Sequence, residues 1–308
     1  MIIGIDGGGT HVRVVVCDGS LRVLGESQGA GVNPSTVGRD LSASRIQEAV
    51  RAALSIANVD AGEITAAAAG IAGAATDHFG PWVVSVCRGV LPAARIIHSS
   101  DYEIALVGAI GERQGVSVIA GTGSAAFGAH RDGRSMRQGG FGYLLGDEGS
   151  GYWLGREALS HVLREMDGRA SPSELTPRIL GAIGLSQPLE IIPWLYHTEK
   201  PRTADVAALA PVVIAASEQG DRVAQGYVAR AASELAQMVR YLQLKLSLEE
   251  APVAFIGGLL ENDNRLVQVL MRRLHLKERP VARHAPAYGA AVLAAQAACL
   301  PGNPASNV

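Results

Sequence analysis

What most constrains this chain is a strand–glycine turn–strand pattern that opens it and recurs before its midpoint. Ile2 to Ile5 and Val12 to Cys17 are dominated by β-branched residues and flank Gly7-Gly8-Gly9-Thr10. Val116 to Ala120 runs the same way into Gly121-Thr122-Gly123-Ser124. A third strand near Leu21 to Ser27 would complete an antiparallel meander after the first turn. At 308 residues the chain exceeds what a single core usually sustains, so the repeat is read as two lobes. The expected boundaries are 1–112, completed by a C-terminal helix at 285–300, and 113–284.

Between and beyond the turns, strand and helix alternate. Leu41, Ile46, Ala49, Val50, Ala53, Leu54 and Ala57 fall at helical spacing, which predicts a helix over 39–57. A strand at Ile64 to Ile71, a helix around Trp82 to Leu91, a short strand at Arg95 to His98 and a helix from Tyr102 to Gly111 follow. The stretch 151–248 reads as mostly helical, with Val223, Tyr227, Ala231, Leu235, Met238, Leu242 and Leu246 forming one apolar stripe. A strand at Pro252 to Ile256, a helix near Arg265 to Leu274 and an alanine-rich helix from Ala285 to Ala298 close the pattern, and Pro301 to Val308 reads as a frayed tail. Such alternation predicts an α/β fold with covering helices. Trp82, Trp153 and Trp194 are expected in the core.

Composition narrows the partners. Hydrophobic residues make up 48% and charged residues 18%, which favours a globular chain. The net charge of −2, with its basic residues dispersed, argues against nucleic acid. The motif begins at residue 2, which leaves no secretory leader or N-terminal DNA-binding module, and no apolar run reaches the roughly 18 residues of a membrane helix. Cys17, Cys87 and Cys299 are scattered and the eight histidines show no ligand spacing, so a cytoplasmic protein without a zinc site is expected.

The turns carry the chemistry. Gly8 and Gly9 leave no side chain between backbone N–H groups and an anion, so the turn is either an ordinary hairpin or a phosphate cradle. Asp6 just before it can organise a hydrated Mg²⁺, and Thr10 just after it can donate to a phosphate. No Gly-Lys-Ser/Thr follows, so this is not a P-loop. Gly121, Thr122, Gly123 and Ser124 offer the same chemistry, and Gly257-Gly258 forms a third turn.

Taken in order, Asp6-Gly-Gly-Gly-Thr10, Gly121-Thr-Gly-Ser124, Gly139-Gly-Phe-Gly142 leading into Gly146-Asp-Glu-Gly-Ser-Gly-Tyr-Trp153, and Phe255-Ile-Gly-Gly258 resemble the motifs of the BadF/BadG/BcrA/BcrD ATPase family. Within it, the Gly-Asp-Glu-Gly-Ser-x-Tyr-Trp run most resembles N-acetylglucosamine kinases. The resemblance implies a two-lobe ribonuclease-H-like fold of the actin-like ATPase class, with the active site in the interlobe cleft. It implies ATP and Mg²⁺ as cofactors, a small-molecule sugar as substrate, and no nucleic-acid or membrane partner; a homodimer is the expected assembly.

The same resemblance implies roles for single residues. Asp101 would be the catalytic base that accepts the sugar hydroxyl proton; read alone, it is a helix N-cap. Asp147 would accept hydrogen bonds from sugar hydroxyls, with Gly140 and Phe141 as the adjacent wall and Asn33, Gly73 and Ser124 as further sugar contacts. Gly8, Gly9, Thr10, Gly121, Thr122, Gly123, Gly257 and Gly258 would hold the nucleotide, and Asp6 the metal through water. Ala125 stands where these kinases often carry asparagine, and Phe141 where they carry tryptophan. N-acetylglucosamine is thus the leading substrate, with glucosamine or N-acetylmuramic acid as alternatives. A dehydratase-activating ATPase of the same family is the rival from another class; it would need cysteines to bridge an iron–sulfur cluster between subunits.

Overall fold

A computed structural model of the chain describes residues 1–74, 77–197 and 202–299. The expected tail at Pro301 to Val308 lies outside the described residues. The chain divides into two compact units, Met1–Gln114 together with the segment from Ala282 onward, and Gly115–Val281. No described helix is long and apolar enough to cross a membrane.

The first unit is built on β1 (Ile2–Gly7), β2 (His11–Cys17), β3 (Val23–Ala30), β4 (Ala66–Ile71) and β5 (Arg95–Ser99), in sheet order β3-β2-β1-β4-β5. β1, β2 and β3 pair antiparallel, while β4 lies parallel to β1 and β5 parallel to β4. The strand β3 begins at Val23 rather than Leu21, because the Asp18 carboxylate accepts from Ser20 and Arg22 N–H and folds 18–22 into a turn with Leu21 at φ +64°. Likewise β4 starts at Ala66, since Ile64 ends a 3₁₀ turn at Ala61–Glu63.

Period-two side chains divide the sheet between two cores. Ile3, Ile5, Val12, Val14 and Val16 pack with Ile46, Val50, Val83 and Val86 of α2 (Arg39–Ala57) and α3 (Gly80–Arg88), which follow the short α1 (Pro34–Val37). On the other face Ile2, Val15, Ala66 and Ala68 meet α4 (Asp101–Ile110) and the C-terminal helix Pro286–Cys299. Small residues permit that contact: a Cβ on Gly4 would sit 1.9 Å from the Ala287 carbonyl oxygen, and one on Gly289 would sit 2.1 Å from that of Ile104.

The second unit repeats the plan with β6 (Gly115–Ala120), β7 (Ser124–Ala129), β8 (Ser135–Gly139) and β9 (Val253–Ile256), in sheet order β8-β7-β6-β9. β6, β7 and β8 are antiparallel and β9 is parallel to β6, matching β1, β2, β3 and β4 one for one. The helical stretch resolves into α5 (Gly151–Met166), α6 (Leu175–Ala182), α7 (Ile191–Tyr196), α8 (Thr203–Ala207), α9 (Ala210–Glu218) and α10 (Arg222–Leu246), followed by α11 (Arg265–Arg273) after β9. The stripe of α10 buries Ala231, Leu235, Leu242 and Leu246, with Val223, Tyr227 and Met238 at its margin. Trp153 is buried in this core, whereas Trp194 here and Trp82 in the first unit pack only against core margins.

Candidate functional site

The candidate residues of the first unit follow the carboxyl ends of its three parallel strands, the position at which open α/β sheets collect ligands. Asp6 and Gly7 end β1, opposite Gly70 and Ile71 of β4. Ala72 N–H donates to Gly7 O at 2.7 Å, which draws the 72–73 loop against the first turn. Ser99 ends β5, and Asp101 opens α4 directly after it.

The glycine turn at 7–10 is closed by Gly8 N–H donating to His11 O at 2.8 Å, and it is braced by Val32 N–H donating to Gly8 O at 3.0 Å. Gly31 passes so near that a Cβ there would meet Gly9 O at 2.0 Å. A Cβ on Gly9 itself would meet nothing within 4 Å, and its φ is not left-handed. Neither packing nor strain in this unit asks for glycine at 9, and the space above its backbone is open.

Asn33 and Gly73, singled out separately in the sequence, are neighbours. Asn33 caps α1 by accepting from Ser35 N–H at 2.9 Å. Gly73 sits at φ +78°, and a Cβ on it would stand 2.3 Å from Asn33 Oδ1. The turn role of Asn33 and its place beside the 72–73 loop coexist in one side chain.

For Asp101 the capping alternative is resolved. The N-cap of α4 is Ser100, whose Oγ accepts from Glu103 N–H at 3.1 Å, and Asp101 is the first helical residue. Glu103 is fixed in turn by Ser99 Oγ at 2.8 Å and by an ion pair with Arg113. The Asp101 charge reaches Asp6: burial first, and then this neighbouring negative charge, push the Asp6 carboxyl up to about 6 against the opposing pull of Arg13. Arg13 faces Asp6 across the β1–β2 pair. A half-buried carboxylate at the mouth of a glycine turn is the kind of group that a hydrated divalent cation relieves, so Asp6 suits a metal held through water, while among the described residues no three His, Cys, Asp or Glu side chains gather to cage one directly.

In the second unit the glycine turns again follow parallel strand ends, Gly121–Gly123 after β6 and Gly257–Gly258 after β9. Gly257, at φ +95°, presses on β6: a Cβ would lie 2.6 Å from Ala120 O, which also accepts from Leu259 N–H at 3.1 Å. Gly121 and Gly258, like Gly9, have open space where a Cβ would be. The 121–123 turn is tied to the start of α5, since Gly151 N–H donates to Gly121 O at 2.8 Å and Tyr152 N–H to Thr122 O at 3.1 Å. Ser150 caps α5 by accepting from Trp153 N–H at 3.1 Å.

Asp147 lies beneath this turn. It is buried, adopts φ +61°, and sets its carboxylate against Gly123, where a Cβ would stand 2.8 Å from Oδ2. Burial raises its carboxyl above the usual range, the nearby backbone N–H groups of Ser124 and Gly142 oppose the rise, and Glu148 adds to it. The Ser124 hydroxyl turns inward to donate to Glu148 O at 2.8 Å. Gly139, Gly140 and Gly142 all have left-handed φ, between +72° and +84°, and Phe141 between them is 65% exposed with the Arg137 guanidinium over its ring.

Sequence reasoning missed the cap at Ser150 and the Glu103 network. Ser150, followed by the helical run from Gly151, carried a readable N-cap signal. The Ser99–Glu103–Arg113 cluster carried none, because its partners are ordinary surface residue types.

The chain is similar over nearly its whole length to proteins named as amino-sugar kinases. An N-acetylmuramic acid/N-acetylglucosamine kinase of Clostridium acetobutylicum is 31% identical over 95% of this chain and 97% of that one. An N-acetyl-D-glucosamine kinase of Dictyostelium discoideum is 29% identical over 96% of this chain and 97% of its own length. The solved structure of a candidate N-acetylglucosamine kinase from Chromobacterium violaceum superposes with a TM-score of 0.73 at 28% identity, covering 95% of this chain and 98% of that one. The model of the BadF/BadG/BcrA/BcrD ATPase family matches residues 3–294, and the chain belongs to that family.

Proposed function

We propose that this protein is an ATP-dependent kinase of amino sugars, with N-acetylglucosamine as the leading substrate and its 6-hydroxyl as the acceptor. The observation that carries the reading is the Asp6–Asp101 pair at the ends of parallel strands, beside a glycine turn whose Gly9 keeps open space above its backbone. An acid that must ionise beside another suits one carboxylate working through a hydrated metal and one accepting a proton.

In this reading Gly8, Gly9, Thr10, Gly121, Thr122, Gly123, Gly257 and Gly258 hold the nucleotide through backbone and hydroxyl groups. Asp6 orders the water shell of Mg²⁺, which when bound supplies charge neutralisation at the phosphate oxygens. Asp101 accepts the proton of the sugar hydroxyl as that oxygen attacks the γ-phosphorus and the bond to ADP breaks. Such a base contributes roughly 10²–10⁴ in rate. Asn33, whose oxygen is engaged in the cap, would donate to the sugar through its carboxamide nitrogen. Gly73, Ser124, Gly140, Phe141 and Asp147 shape and line the sugar position. The protein works in this proposal as a cytoplasmic homodimer.

The names of the relatives support a hexosamine kinase over the activator reading. So do the cysteines: Cys17 and Cys87 are buried on opposite faces of the first unit's sheet, where neither can meet a cluster shared between subunits. The decisive test is Asp101→Asn, assayed by ADP release with N-acetylglucosamine, glucosamine, N-acetylmannosamine, N-acetylmuramic acid and glucose, alongside calorimetric nucleotide titration. Transfer should fall by at least about 100-fold with nucleotide affinity nearly unchanged. Near-normal turnover in the variant, or a wild-type response equal for all five sugars, overturns the proposal.

A further inference from the structure

The first turn of α4 carries more bonds than the start of a helix needs. Ser100 caps it, its Oγ accepting from Glu103 N–H at 3.1 Å and its carbonyl from Ile104 N–H at 3.1 Å. The body of the helix is held without charge: Arg283 and His284 N–H donate to Ala109 O and Gly108 O, both at 3.0 Å, and Gly289 packs against Ile104 O. Backbone contact also seats the turn on β4, where a Cβ on Gly70 would stand 2.8 Å from Ser100 O.

The Glu103 side chain adds a second set of bonds. Its Oε2 accepts from Ser99 Oγ at 2.8 Å, and its Oε1 meets Arg113 Nε. The two charged side chains are only 17% and 22% exposed, and Ser99 is buried. Arg113 comes from beyond the far end of α4, after the left-handed Gly111 at φ +92°, so the pair runs back along a stretch of helix that rises about 10 Å between residues 103 and 110. An ion pair so far withdrawn from water is a weak source of stability, because desolvation offsets the attraction. A helix already capped and packed does not require one.

What these contacts surround is Asp101. Glu103 holds Ser99 through its side chain and Ser100 through its backbone, the two residues immediately before Asp101. Residues two apart on a helix do not share a face, so Glu103 works on the backbone that aims Asp101 and not on its carboxylate. A general base must lie within hydrogen-bond reach of its proton, and a misplacement of about 1 Å can cost about 100-fold in rate. We infer that Glu103, braced by Ser99 and Arg113, is a positioning residue that sets the direction of Asp101. The inference rests on the kinase reading, in which Asp101 is the base, and adds to it the side chain through which that base is held.

A double-mutant cycle tests it. Glu103→Gln keeps an acceptor for Ser99 but removes the charge that Arg113 meets, whereas Ser99→Ala removes the other contact and leaves every charge in place. Each should lower kcat by about tenfold, with KM for nucleotide and sugar within about twofold of wild type. In an Asp101→Asn background, followed in single turnovers with radiolabelled ATP, neither should lower the residual rate further, because the group it positions is already gone. A merely structural role gives the same fractional loss in both backgrounds, or a raised KM at constant kcat. Either of those results, or an unchanged kcat in both variants, overturns the inference. If Glu103→Gln does not fold, the cycle through Ser99→Ala decides by itself. Near-normal turnover in Asp101→Asn alone, or a wild type that phosphorylates no sugar, is instead the failure of the kinase reading, and it removes this inference along with that reading.

Discussion

Asp6 places a cost in the ligand-free protein. Its ordinary carboxyl value of 3.8 is pushed up to about 6 in the folded chain, chiefly by burial, with Asp101 adding to the rise and Arg13 opposing it. The native state therefore holds the proton more tightly than the unfolded chain does. Stability from this group is fully present below about pH 4 and is lost as pH rises through 6. Asp6→Asn should accordingly melt higher than wild type in metal-free buffer at pH 7.5, and the gap should close as pH falls towards 4. Under the proposed function the wild type should gain stability from Mg²⁺-nucleotide, and this variant should not. Thermal melts across that range, with and without Mg²⁺-nucleotide, decide it; a gap independent of pH would mean that the asparagine helps by packing.

Elements bring these residues to their places through their ends more than their lengths. Each candidate glycine turn leaves the carboxyl end of a parallel strand, and α4 and α5 begin with serine caps at Ser100 and Ser150. Ser150 is fully buried, and its cap sits where Gly151 and Tyr152 N–H groups reach the 121–123 turn. Ser150→Ala leaves Trp153 N–H without its acceptor and should cost about 1–2 kcal/mol, read as a shift in the urea midpoint at constant m-value. An unchanged midpoint would show that the turn, not the cap, holds α5. The spans of α2 and β2 could be read from apolar period and β-branching alone. The start of β3 could not, because the Asp18 turn outweighs the strand propensity of Leu21. Nor could the choice of Ser100 over Asp101 as cap: both residue types favour that position, and only the chain's path out of β5 selects one.

At the scale of the molecule, the first unit is closed by a helix from the far end of the chain, and its two cores lie on either side of one sheet. Cys17 belongs to the core under the C-terminal helix and Cys87 to the opposite one, and burial pushes their thiols up to about 11 and about 12. With Cys299 replaced by serine, neither thiol should react with a disulfide reagent at pH 8 until the unit unfolds, and both should then react at a common rate. Fast modification of Cys17 alone would mean that the C-terminal helix detaches by itself.

By itself the sequence determined the family, the α/β class and the identity of the glycine turns, because β-branching, apolar period and backbone freedom at glycine act over a few neighbouring residues. The joining of Asn33 to Gly73, of Asp6 to Asp101, and of Asp147 to Gly123 was decided only by the tertiary structure. These are contacts between segments distant in sequence or turned back on themselves, made by residue types that are common in any loop. Their meaning comes from what the fold sets beside them: a Cβ that would meet Asn33 at 73 and Asp147 at 123, and a carboxylate half withdrawn from water at 6.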